Sequence, residues 1–80
     1  MAEQQPVPEP GDLVWIDEKV AYVPHGHWMR VAYVEHTHRA DLDDWVFLSG
    51  YPVTRLGVSA SLIVRFVCLR GLVIRRPDCR

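Results

Sequence analysis

Residues 62–69, Leu-Ile-Val-Arg-Phe-Val-Cys-Leu, limit more than any other segment what this chain can become. In an extended chain, side chains alternate between two faces. Leu62, Val64, Phe66 and Cys68 then share one face, and Ile63, Arg65, Val67 and Leu69 share the other. Both faces are apolar apart from Arg65, so such a strand needs cover on both sides. A small domain covers one of them. The sequence therefore leads us to expect that the face of Ile63, Val67 and Leu69 points outward and meets a partner or a second copy of the chain. A helix over residues 61–76 is the rival reading. The Val and Ile content and the internal Gly71 argue against it.

The rest of the chain is punctuated in the same way. Residues 28–35 form a second strong strand, with Met29, Val31 and Tyr33 on one face and Trp28, Arg30, Ala32 and Val34 on the other. Shorter β-prone runs occur at 13–16, 20–23, 45–48, 53–56 and 72–74. Between them lie turn signals: Asp17-Glu18-Lys19, Pro24-His25-Gly26, Ser49-Gly50, Tyr51-Pro52 and Gly57. Five to seven short strands at this spacing predict an all-β fold, a small sandwich or barrel, and a barrel has no free sheet edges. At 80 residues the chain holds one domain. Residues 1–10 carry three of the six prolines and read as a disordered, proline-rich tail; residues 11–76 are the domain, and 77–80 a C-terminal tail. So small a domain buries only about 60% of the surface of its unfolded chain. Two cysteines do not make a disulfide scaffold: Cys68 is expected as a buried thiol and Cys79 as a free one in the tail. The first ten residues lack a basic and apolar leader pattern, and Arg65 and Arg70 interrupt the apolar stretch at 62–74. A membrane span needs roughly 20 apolar residues, so the expectation is a soluble, cytoplasmic protein with no membrane contact.

Pro10-Gly11-Asp12-Leu13-Val14-Trp15 resembles the opening of SH3-like small barrels. It is similar to the Gly-Asp-Leu-Val-Trp entry of PWWP/Tudor-type chromatin readers, with Pro24, Trp28 and Val31 near the place of that family's next element. The Trp-Pro pair of that family is missing. With Asp17, the opening also resembles that of MazF-like ribonuclease toxins, whose Arg-Pro-x-Val-Val element is missing too. The resemblance covers about 20 residues. It implies a small SH3-like barrel and assigns no functional residue.

Few constellations point to catalysis. His25-Gly26-His27 and His36-Thr37-His38 are two His-x-His pairs, each able in principle to hold a metal. A straight strand between them separates the pairs by ~26 Å, which excludes a shared ion. A mixed site of His36, His38 and one of Asp41, Asp43 or Asp44 has the right donor types. Solvated strand-end histidines and a solvated acidic loop are the simpler outcome. Ser49, Ser59 and Ser61 sit in no nucleophile motif, and no glycine-rich phosphate loop is present. No metal, cofactor or enzymatic activity is expected.

Aromatics and arginines carry more. Three Trp, three Tyr and two Phe make up 10% of the chain, and such rings either pack in a core or line a contact surface. Trp28, sharing a face with Arg30, is the candidate for exposure. Charge is divided along the chain. Residues 1–44 hold nine acids and three bases, whereas residues 45–80 hold one acid and six bases. Arg65, Arg70, Arg75 and Arg76 crowd the last strands and suit phosphate contact. Alternatively, the acidic half neutralises the basic half within the fold. The leading expectation is a non-catalytic module acting by protein–protein contact through Trp28, Arg30, Ile63, Val67 and Leu69, with homodimerisation expected. A nucleic-acid-binding barrel using Arg65, Arg70, Arg75 and Arg76 comes second. A ribonuclease toxin comes third, since no acid–base set is identifiable.

Overall fold

The computed structural model describes residues 7–37, 39–42 and 44–76. Six strands form one antiparallel sheet: β1 (Leu13–Ile16), β2 (His27–His36), β3 (Trp45–Thr54), β4 (Gly57–Val58), β5 (Ile63–Cys68) and β6 (Val73–Arg75). A single 3-10 turn, Ala40–Leu42, stands between β2 and β3. The helix considered for residues 61–76 is not formed: β5, a Gly71 turn and β6 occupy that stretch. The order along the sheet is β4-β3-β2-β1-β6, with β5 also paired to β3. β5 borders β3 from Trp45 to Gly50, and β4 borders it at Val53 and Thr54. No ladder joins β5 to β6 among the described residues, so the all-β class holds while the hydrogen bonds do not close the sheet into a barrel. A single bridge, Ala21↔Val67, stands where residues 20–23 were expected as a strand. Asp17 starts a turn there instead. Its carbonyl accepts from the Val20 and Ala21 N–H groups at 3.1 and 3.0 Å, and its carboxylate accepts from the Lys19 N–H at 2.9 Å.

The core is built from alternate residues of the strands: Val14 and Ile16, Met29 and Val31, Val46 and Leu48, then Val67 and Leu69, with Val20 and Ala21 sealing one end. A fully buried side chain of this size contributes about 1.5–3 kcal/mol of transfer free energy. Val67 and Leu69, expected on an outward contact surface, are therefore core residues, and Ile63 packs against the same cluster. Strict alternation defines two faces without saying which is inward. The inward face is fixed by Val46 and Leu48 on the neighbouring strand, and the outward face of β5 is that of Val64 and Phe66. Cys68, on this outer face, is half-buried and free; Cys79 lies outside the described residues.

Two irregularities shape the sheet. The β2–β3 register passes from Val31↔Gly50 to Tyr33↔Ser49, leaving Ala32 unopposed in a β-bulge. The bulge exchanges the faces of β2. Tyr33, expected to share a face with Met29 and Val31, is exposed, and Val34 packs on the core in its place. The second irregularity is the length of β3. Ser49-Gly50 and Tyr51-Pro52 look like stops, yet the strand runs through both to Thr54. Gly50 is there because β2 passes close by: a Cβ at this position would overlap the Arg30 carbonyl oxygen and lie 3.0 Å from Met29 Cγ. Residues 53–56, expected as a strand, end in a tight turn in which the Leu56 N–H donates to Thr54 Oγ1 at 3.1 Å.

At the N-terminal border, Pro8 and Glu9 lie against the start of β1. Pro8 is buried, and the Glu9 N–H donates to Asp12 Oδ2 at 2.8 Å. Residues 1–6 and 77–80 lie outside the described residues.

Gly50→Ala should lower stability by about 1–3 kcal/mol, since the new methyl group meets backbone rather than a yielding side chain. Urea unfolding followed by tryptophan fluorescence checks this; an unchanged midpoint would contradict the close approach of β2 and β3.

Candidate interaction surfaces

The outer side of the sheet carries two aromatic surfaces. The first crosses β3 and β5. Phe47 and Phe66 are register partners. The Cys68 N–H donates to the Val20 carbonyl at 2.7 Å, away from β3, so Cys68, Phe66 and Val64 are the non-hydrogen-bonded positions facing β3. Side chains approach most closely at such positions, and the two rings sit 4.7 Å apart between centroids. Trp45 stacks on Phe66 at 4.9 Å, and Tyr22 on Trp45 at 6.3 Å. A continuous row Tyr22–Trp45–Phe66–Phe47 results. Its ends are open to solvent: Tyr22 is 92% exposed, Phe47 40% and neighbouring Val64 53%. Sequence reasoning missed this row because its members come from three segments. The alternation Trp45, Phe47 against Val46, Leu48 was the available signal.

The second surface crosses β2, β1 and β6. Leu13 lies between Arg30 and Arg75, and Trp15 lies between Trp28 and Val73. Trp15 and Trp28 pack at 5.4 Å with planes tilted by 60°. The Trp15 indole N–H donates to Asp17 Oδ2 at 3.0 Å, and Gly26 lies against its ring, where any Cβ would overlap it. The Arg75 guanidinium sits 5.2 Å from the Trp28 ring centroid, a cation–π contact. Arg30 is exposed and Trp28 half-buried, so the two share an outward face as expected.

The four C-terminal arginines do not form one patch. Arg70 pairs with Asp44. Arg76 places Nη2 3.2 Å from Asp12 Oδ2 and Nε 3.3 Å from Asp12 Oδ1, with Glu9 Oε2 at 4.0 Å. The hydrogen bond and charge of Asp12, aided by Glu9, raise the Arg76 pKa above its ordinary value. Arg75 covers Trp28. Arg65 lies in β5 beside Tyr22 and Val23, donates from Nη1 to the Val64 carbonyl at 3.1 Å, and keeps Nε buried without a partner. Two of the four arginines are thus engaged by acids of the first half of the chain.

His27 and His36, one from each pair, stand at opposite ends of β2. His27 Nδ1 is 3.4 Å from the His25 carbonyl, and His36 is exposed. His38 and Asp43, counted toward a mixed metal site, lie outside the described residues. Among the described residues no group of three or more His, Cys, Asp or Glu could hold a metal ion, and no helix is long and apolar enough to cross a membrane. No protein-family model, curated protein or solved structure matches this chain.

Asp12 is nearly buried and accepts from both the Glu9 N–H and Arg76, whereas Arg76 is largely exposed. Asp12→Ala should therefore cost about 1.5–3 kcal/mol, and Arg76→Ala distinctly less. Parallel denaturation of the two variants checks the order; equal losses would mean that the ion pair, not the buried carboxylate, carries the effect.

Proposed function

We propose that this chain is a non-catalytic binding module that acts by protein–protein contact, with the row Tyr22–Trp45–Phe66–Phe47 as its contact surface. The observation that carries this is the exposure of a connected aromatic row on an open sheet face, where isolated exposed rings would need no explanation. Aromatic side chains supply large contact area at low entropic cost, and they dominate the energetics of interfaces. A second copy of the chain is the partner this surface suits best. The row itself carries no formal charge, so a two-fold axis would bring apolar rings together without like-charge repulsion. The contact residues expected from the sequence shift accordingly: Phe66 and Val64 replace Val67 and Leu69.

A nucleic-acid-binding small barrel is the alternative, and the second surface favours it. Trp28, Arg30 and Arg75 combine a stacking ring with two guanidiniums that have no carboxylate within 4 Å among the described residues. A single strand would stack a base on the aromatic pair and place phosphates on Arg30 and Arg75. Arg70 and Arg76 contribute less to this than expected, because Asp44 and Asp12 hold them.

Light scattering at rising protein concentration should give twice the chain mass. A Tyr22→Ser, Phe47→Ser double variant should return the mass of one chain without loss of β-sheet circular dichroism. A single-chain mass for the unaltered protein at the highest concentration would overturn self-association.

A further inference from the structure

β5 pairs with β3 along one edge only. Its other edge meets the chain at the bridge Ala21↔Val67 and the Cys68-to-Val20 hydrogen bond, and Pro24 follows soon after. Proline has no N–H to extend that pairing. The backbone groups of Val64 and Phe66 point the same way as those of Cys68, by the two-residue period of an antiparallel strand. They therefore face away from β3, toward a cleft of about 220 Å³ lined by Ala21, Tyr22, Val23, Val64, Arg65 and Phe66. This is below the roughly 300 Å³ at which pockets for whole small-molecule ligands begin. It suits a short length of chain with a side chain or two.

Arg65 gives the cleft its chemistry. Among the described residues Arg70 and Arg76 have carboxylates, and Arg75 has an aromatic ring. Arg65 has neither. Its Nη1 instead donates to the Val64 carbonyl, an acceptor on the open edge, where the N–H of an added strand would otherwise be. Its Nε–H has no acceptor. The guanidinium thus occupies the place of a missing strand and, among the described residues, holds a positive charge with no counter-ion beside it.

We propose that the open edge of β5 binds an extended acidic segment of a protein partner by strand addition. The incoming backbone donates to the Val64 carbonyl in place of Arg65, and the released guanidinium takes a carboxylate of the same segment, with Tyr22 and Phe66 flanking it. This rests on the protein-contact function above; the cleft shares Tyr22 and Phe66 with the aromatic row and is tested separately through Arg65.

The test is a titration of the ¹⁵N-labelled full chain with two capped hexapeptides, one alternating valine and glutamate, the other valine and lysine. The glutamate peptide should shift the amides of residues 64–66 and slow hydrogen exchange at Val64 and Phe66, while the lysine peptide leaves them unchanged. Arg65→Gln should weaken the glutamate peptide about threefold to fivefold, the range of a partly exposed ion pair. Arg65→Lys should keep most of the affinity, and the amide spectrum of each variant reports its folding. Equal binding of both peptides, unchanged affinity in a folded Arg65→Gln, or protection confined to other strands would overturn the proposal. A single-chain mass in light scattering leaves this titration interpretable, and a flat titration leaves the mass measurement standing.

Discussion

The close pairing of β2 with β3 is the constraint on which the rest of this fold depends. β3 pairs with β2 from Val46 to Val53 on one edge, and with β5 from Trp45 to Gly50 and β4 at Val53 and Thr54 on the other. For β2 to lie close enough, position 50 has to be a glycine. For β2 to keep apolar residues inward past that point, Ala32 has to bulge. The bulge decides that Val34 rather than Tyr33 faces the core. The β3 alternation decides that Trp45 and Phe47 face outward, where Phe66 meets them. The outer aromatic row is thus a consequence of the same register that buries Val46 and Leu48.

The divided charge of the chain acquires a structural meaning. Acids of the first half meet arginines of the second at two places, Asp12 with Arg76 and Asp44 with Arg70. Both lie where the chain enters or leaves strands: Asp12 just before β1, Arg76 just after β6, Asp44 just before β3 and Arg70 just after β5. Both pairs therefore tie neighbouring strand ends together. Exposed ion pairs add little energy, but the buried Asp12 carboxylate must be satisfied, and this fixes where the chain can enter. Among the described residues, Arg30, Arg55, Arg65 and Arg75 are the arginines with no carboxylate within 4 Å and so with charge available for a partner.

Much of the fold was legible in the sequence. Period-two alternation located β2 and β5, and the apolar runs at 13–16 and 72–74 located β1 and β6. Three features were not legible, each for a physical reason. Alternation is symmetric, so it could not say which face of β5 was inward; Val67 and Leu69 were placed outside until Val46 and Leu48 fixed the side. Turn-forming residues look like stops, yet Gly50 and Pro52 both sit within β3, Gly50 because β2 passes close by. The bulge at Ala32 breaks the period itself. Of the expected site residues, Trp28 and Arg30 share an outward surface as anticipated. The arginine quartet does not gather, because its partners are acids distant in sequence.

β1 is the first strand of the sheet to be made, yet its second hydrogen-bonding neighbour, β6, is the sixth. Asp12 waits for a guanidinium 64 residues downstream. Until Val73–Arg75 emerges, β1 has one bare edge and a buried carboxylate short of a partner. Such non-local pairing is slow to form, because a long loop must close before any contact is gained. The sheet is therefore completed by its sixth strand, and its first strand stays half-paired until that strand is made.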